Sequence, residues 1–306
     1  MAKRRVLVTG ATGLIGRHVV NALIERGSEV HAATRSLAHG TTDGHARWHK
    51  ANLLDRGDRT QLLDSTKPDT IIHCAWVTEH SAYWTSPENL DWVAATLSLA
   101  REAADRGAKR FVGVGTCAEY DWTGDGPLSE AKTPLKPTTL YGIAKDATRR
   151  TLESFAEAYG LSFAWARVAM LYGAGEHRDR FVASLARALL KGELAKMSSG
   201  RQTRDLLDAR DAGAAVAAVA TSSLTGAVNI GSGQPVTLLD VGRTLAGLAG
   251  HPEALRPGAY PDRPNEPPSL TLDTTRLTRD AGFTPRIKLE EGLRDALAFW
   301  RSERML

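Results

Sequence analysis

The stretch "RRVLVTGATGLIGRHVVNALIERGSEVHAATRS", residues 4–36, decides the fold. "VLV" reads as a short, fully buried strand. Gly10, Gly13 and Gly16 follow as G-x-x-G-x-x-G, and the next residues place Leu14, Ile15, Val19, Leu23 and Ile24 largely on one helical face. Gly27 stops that helix and "EVHAATR" reads as a second strand. The glycines have separate tasks in such a β-α-β unit. One makes the tight turn, one lets backbone approach a pyrophosphate, and one lets helix and strand pack closely. The helix start then offers unpaired N–H groups to phosphate. The unit is therefore expected to bind a dinucleotide through Gly10, Thr12, Gly13, Leu14, Ile15 and Gly16.

Outward from this unit, strands and helices alternate. "ARWHKANLL" leads to a helix from about Asp55 to Ser65, "DTIIHCAWV" is a buried strand, a helix runs from about Pro87 to Arg106, and "KRFVGVGT" is another strand. This alternation predicts an α/β protein with a Rossmann-type, doubly wound parallel sheet. Ligands of such sheets lie at the carboxyl ends of the strands, which singles out Ala75, Trp76, Thr116, Cys117 and the turn after the second strand. A cofactor domain is expected over 1–167, with 203–230 returning to it as a strand, a helix and a late strand. The remainder of 168–306 is expected to form a smaller C-terminal α/β substrate domain, ending in a helix over 289–304.

Composition narrows the class. With 42% hydrophobic and 24% charged residues, 306 residues are enough for a substantial core. No apolar run is long enough to span a bilayer, and the N-terminus lacks a secretory pattern, so no membrane and a cytoplasmic setting are expected. Two cysteines make no disulfide framework. No Cys/His spacing marks zinc, and His39, His45 and His49, close in sequence, sit in a polar region, so no metal is expected. The net charge of +4 is dispersed, without the basic run that nucleic-acid binding would require. The Pro-rich stretch 256–268 must be irregular.

"TTLYGIAKDATRRTLESFAEAYG" predicts a long amphipathic helix with Tyr141 and Lys145 four residues apart on one face. Thr116 ends a strand about twenty-five residues earlier. A phenol of pKa ~10 is a poor acid–base catalyst at neutral pH, and a nearby ammonium together with a bound cofactor's positive nicotinamide would lower that value. Thr116 can bond a substrate oxygen while Tyr141 moves a proton. The plainer alternative for Tyr141 is an aromatic on a packing face.

The ordered pieces "TGATGLIG", "ANLLD", "HCAW", "GTCAEY", "YGIAK", "RVAMLYG", "RDLLDARDAG", "NIGSG", "RPNE" and "AGFTP" span nearly the whole chain. In them the chain resembles the extended short-chain dehydrogenase/reductases that act on nucleotide sugars. The resemblance implies a catalytic triad of Thr116, Tyr141 and Lys145, with Lys145 also holding the nicotinamide ribose. It places Asn52 and Leu53 beside the adenine and Ala75 and Trp76 against the cofactor. It gives Arg204 and Arg263 to the nucleotide diphosphate, a task for which guanidinium is suited. It also implies a homodimer formed through the helices near 87–106 and 139–159.

Members that use NAD carry an acid near the end of the second strand. Here there is none before Asp43, and Arg35 and Ser36 stand in that place, which favours NADP(H) while leaving NAD(H) open. Dehydratases of the family carry an acid pair after the threonine. Here Cys117 and Ala118 fill those positions, and Glu119, on a strand-like backbone, would point away. Cys117 is expected to pack beside the pocket. Met170 replaces an asparagine that contacts diphosphate in the family, so a non-sugar carbonyl substrate stays open. The aromatic segment 76–92 offers Thr78, Tyr83 and Trp84 either as pocket wall or as a hydrophobic cover. The expected activity is NADP(H)-dependent reduction of a nucleotide-linked 4-keto-6-deoxy sugar. The alternatives are a 4-epimerase with tightly bound NAD and an NADP-sensing regulator.

Overall fold

The computed structural model describes residues 4–37, 45–264 and 266–304. The first half alternates strand and helix: β1 (Arg5–Thr9), α1 (Gly16–Glu25), β2 (Glu29–Thr34), β3 (Ala46–Lys50), α2 (Arg56–Thr66), β4 (Thr70–His73), α3 (Glu88–Asp105), β5 (Arg110–Thr116), α4 (Leu140–Tyr159) and β6 (Ser162–Val168). There follow β7 (Met170–Tyr172), α5 (Phe181–Leu190), β8 (Ala195–Lys196), β9 (Thr203–Asp208), α6 (Ala209–Thr221), β10 (Gly226–Ile230) and β11 (Pro235–Thr237). The chain closes with α7 (Leu238–Ala249), β12 (Leu255–Arg256), β13 (Ser269–Leu270), α8 (Thr275–Ala281) and α9 (Leu289–Arg304).

Seven parallel strands form the main sheet in the order β10-β6-β5-β4-β1-β2-β3. The winding reverses between β1 and β4, which opens a crevice at their carboxyl ends. Both faces are covered, so the consecutive residues Val6, Leu7 and Val8 of β1 are apolar yet serve different layers. Val6 and Val8 pack with Val19, Leu23 and Val216, on the side of α1 and α6. Leu7 packs with Ile71, Leu99, Phe111 and Leu152, on the side of α3 and α4.

β5 carries glycine on alternate positions, Gly113 and Gly115. Gly113 is opposite Trp165 of β6, and a Cβ on either glycine would collide with the Trp165 ring. The two glycines thus make room for one buried indole.

A second, smaller body has its own core among α5, α7 and α9, with Leu185, Leu189, Val241, Leu245, Leu293 and Leu297 buried. The expected return of 203–230 to the main sheet is divided. β9 pairs with β7, β11 and β13 in a small separate sheet, whereas α6 packs on α1 and β10 joins the main sheet beside β6. Among the described residues, no helix is long and apolar enough to cross a membrane.

Candidate active site

The glycine loop lies at the crevice between β1 and β4. Gly10 has φ +63°, and a Cβ there would lie 2.7 Å from the Ala75 nitrogen, so only glycine lets β1 and β4 end side by side. A Cβ on Gly16 would collide with the Gly10 carbonyl. Gly13 differs: it is exposed, and a Cβ there would meet only the Gly10 oxygen. Its open side is where a phosphate can approach backbone. No side chain caps the start of α1, which leaves its N–H end to an anion. Leu14 and Ile15 pack against the core below. These residues fit a dinucleotide.

The neighbouring positions surround the same crevice. Thr12 Oγ1 bonds Thr34 Oγ1 at 3.1 Å, tying the loop to the end of β2, where Arg35 and Ser36 are exposed. Asp43, like His39, lies outside the described residues. Asn52 is exposed, and its Oδ1 accepts from the Leu54 N–H, while Leu53 is buried in the core. The Ala75 N–H donates to Thr9 Oγ1 at 3.4 Å. His49 is turned toward His31, with a 2.9 Å bond between ring nitrogens. Among the described residues no group of His, Cys, Asp and Glu could hold a metal ion.

Thr116, Tyr141 and Lys145 come together across this crevice. Thr116 ends β5, and α4 begins after Thr139, whose hydroxyl accepts from the Gly142 N–H at 3.1 Å. A Cβ on Gly142 would sit 2.6 Å from the Ala118 carbonyl, so glycine here lets the first turn of α4 press against the end of β5. This brings Tyr141 beside Thr116. Burial holds the Tyr141 phenol well above its ordinary pKa, and Thr116 opposes this in part. In the structure the Lys145 Nζ is 5.9 Å from the Tyr141 ring centroid and donates to the Val114 carbonyl at 2.7 Å, so burial dominates. Burial also brings Lys145 down to about 7.

Beneath the triad the backbone departs from expectation. Residues Cys117–Glu119 form a 3₁₀ turn, not an extended strand, because Thr116 and Glu119 cap it reciprocally. The Glu119 carboxylate folds back under the site. It accepts from the Thr116 N–H at 2.9 Å, Trp165 Nε1 at 2.8 Å and Arg167 Nε at 2.7 Å. Arg167 also donates to the Tyr120 hydroxyl, which donates to Asn229 Oδ1. Glu119 is a structural anchor with its oxygens occupied. Cys117 is buried beside Tyr120 and Leu128, and burial pushes its thiol up to about 12, so it is a packing group and no nucleophile. Met170 packs against the same cluster.

The aromatic segment wraps Tyr141. The Tyr83 and Trp84 rings meet the Tyr141 ring edge-on, with centroids 5.0 and 5.7 Å away, and the Tyr141 N–H donates to the Trp84 carbonyl at 3.1 Å. Thr78 is exposed. His80 of this segment stacks on His177 from the loop after β7 at 4.8 Å, which bridges the two bodies. Trp76 is buried, with its ring under the Lys145 ammonium.

The two arginines assigned to diphosphate differ. Arg263 is exposed in the Pro-rich segment. Arg204 is buried and already bonded: to Glu266 at 2.6 Å, to the Pro267 carbonyl at 3.0 Å and to the Thr203 carbonyl at 2.7 Å. From the second position of β9 its side chain points into the protein and braces the segment that carries Arg263. Sequence reasoning missed Glu119, Trp165 and Asn89 as parts of the site. The alternating glycines of "VGVG" carry the signal for a large side chain on the next strand. Nothing local marks Asn89.

Comparison with known proteins agrees with this geometry. Residues 6–231 match the model of the NAD dependent epimerase/dehydratase family. A dTDP-6-deoxy-L-talose 4-dehydrogenase (NAD(P)(+)) from Kitasatospora kifunensis is 28% identical, over 96% of this chain and 95% of its own. A dTDP-glucose 4,6-dehydratase from an Actinoplanes species is 25% identical, over 98% of each. The structure of UDP-glucose 4-epimerase from Thermotoga maritima, solved with UDP-glucose, superposes with a TM-score of 0.86 at 25% identity, over 98% of this chain and 99% of that one. A glycine loop at the β1/β4 crevice and a family match over most of the chain lead to one conclusion: this chain belongs to the NAD dependent epimerase/dehydratase family and is an enzyme of the extended short-chain dehydrogenase/reductase type.

Proposed function

We propose that this enzyme reduces the 4-keto group of a nucleotide-linked 6-deoxy sugar with NADPH. The observation that carries the reading is the meeting of Tyr141, Thr116 and Lys145 opposite the glycine loop, with no free carboxylate beside them among the described residues. Bound NADPH supplies the hydride. Tyr141, kept protonated by its burial, donates its proton to the carbonyl oxygen, and the Thr116 hydroxyl orients that oxygen. Lys145 holds the nicotinamide ribose. Tyr83, Trp84 and Thr78 wall the sugar, Cys117 packs beside it, and Arg263 takes the diphosphate while Arg204 braces its segment through Glu266.

Dehydration requires an acid pair where Cys117 and Ala118 stand, and Glu119 is committed to Arg167, Trp165 and Thr116. The Kitasatospora relative, named for oxidoreduction at position 4 with NAD(P), supports the reductase. Arg35, exposed beside Thr12, supports a 2′-phosphate and hence NADP(H) over NAD(H). The likeness to the Thermotoga epimerase supports a second reading, 4-epimerisation with retained NAD. A homodimer formed through α3 and α4 is part of the proposal, since Leu90, Ile143 and Tyr159 are exposed on those helices.

The test mixes the purified enzyme with NADPH and a panel of nucleotide-linked 4-keto-6-deoxyhexoses and follows absorbance at the nicotinamide band. Stoichiometric oxidation that disappears in Tyr141→Phe supports the reductase. Interconversion of nucleotide hexoses without net oxidation, by enzyme that purifies with NAD, selects the epimerase instead.

A further inference from the structure

We propose that Trp76 is a positioning residue for Lys145: its indole face holds the buried ammonium, and Asn89 locks the ring that does so. Lys145 is 4% exposed, and its Nζ lies 3.8 Å from the Trp76 ring centroid. Burying an ammonium without compensation is costly. Among the described residues no carboxylate lies within ion-pair distance of Lys145. The groups facing it are the Val114 carbonyl of β5, the Tyr141 and Trp165 rings, each 5.9 Å away, His73 at the end of β4 and Cys74 just after it. His73 is bonded on both sides, to Thr9 and Thr96, and is held neutral, with its pKa brought down to about 3 by burial. Cys74 is kept protonated by burial. Glu119 raises the Lys145 pKa from a distance but is bonded to Arg167. The negative face of the indole is the nearest compensating group apart from one carbonyl.

The ring cannot turn away. Trp76 Nε1 donates to Asn89 Oδ1 at 2.8 Å, and Trp92 stacks on the indole at 6.2 Å. Asn89 is fully buried, and its Nδ2 donates to the Tyr83 and Ser86 carbonyls, each at 2.8 Å. One amide therefore sets both the Trp76 ring under Lys145 and the turn that puts Tyr83 against Tyr141. The inference rests on the reading of Lys145 as the ribose-holding group.

The experiment titrates the Lys145 amine by ¹⁵N NMR in the cofactor-free enzyme, with the resonance assigned through Lys145→Met. It is paired with NADPH affinity measured by fluorescence across pH. Removing the aromatic face in Trp76→Leu is expected to lower the Lys145 pKa by about one unit, with Trp76→Phe restoring most of it. NADPH binding should then weaken at lower pH than in the parent. Enzyme labelled with 5,7-difluorotryptophan keeps the shape while weakening the ring's negative face, and covers the case where Trp76→Leu does not fold. An unchanged Lys145 titration in both Trp76→Leu and the fluorinated enzyme overturns the proposal. A shifted titration with NADPH affinity indifferent to Lys145→Met upholds the positioning role and overturns the ribose-holding role of Lys145 instead.

Discussion

The guanidinium of Arg167 and the carboxylate of Glu119 meet at 2.7 Å, both essentially inaccessible to water, directly below the residue that ends β5. Pairing in the interior is tolerated because Trp165 and Thr116 also donate to the carboxylate and the guanidinium also donates to Tyr120. Removing one partner leaves an uncompensated buried charge. Glu119→Gln is expected to destabilise the fold by about 3 kcal/mol in urea unfolding. A loss under 1 kcal/mol would show that the pair is dispensable.

Tyr141→Phe keeps the ring contacts with Tyr83 and Trp84 and removes only the hydroxyl. We expect kcat to fall by about a hundredfold or more, with NADPH affinity within twofold of the parent. Retained turnover would remove Tyr141 from proton transfer.

Lys145 gives stability a pH dependence of defined sign. Its folded pKa of about 7 is below the ordinary 10.5. Between those values the unfolded chain binds a proton that the folded chain does not, so this group's contribution to stability rises with pH. Comparing urea midpoints at pH 6.5 and 9, the parent should gain on Lys145→Met by on the order of 2 kcal/mol. Parallel behaviour of the two proteins would place the folded lysine near its ordinary pKa.

Arg35→Ala tests cofactor choice. Loss of an exposed charge-assisted bond to a 2′-phosphate should weaken NADPH about tenfold and leave NADH unchanged. Equal effects on both cofactors would assign Arg35 to the adenine face.

Leu90 is 62% and Tyr159 70% exposed on adjoining helices. Light scattering is expected to give a dimer for the parent and a monomer for Leu90→Glu combined with Tyr159→Glu. A monomeric parent refutes the dimer.

What could be read in the sequence was local. The glycine loop, the Tyr-x-x-x-Lys pair and the strand ending at Thr116 are set by spacing within one or two elements, and the structure brings them to one crevice. What escaped depends on side chains that meet across the sheet. Arg204 reads as a diphosphate-binding arginine until Glu266 is brought to it. The turn at Cys117–Glu119 looks extended until Glu119 caps it. Trp165 is far in sequence from the glycines that admit it. Long-range pairing is invisible to periodicity, which reports only which face of an element is apolar.

The bond from the Tyr141 N–H to the Trp84 carbonyl has a consequence for traffic through the site. A segment tied to the first turn of α4 by backbone, and to α3 through Asn89, cannot swing like a hinged flap without breaking these bonds. It is a fixed wall. Its flank at His80 adjoins the exposed loop at 177–179, through the stack on His177, and the Pro-rich segment that bears Arg263. Changes of substrate preference should therefore be sought on that flank, where the chain can vary without disturbing the geometry of proton delivery.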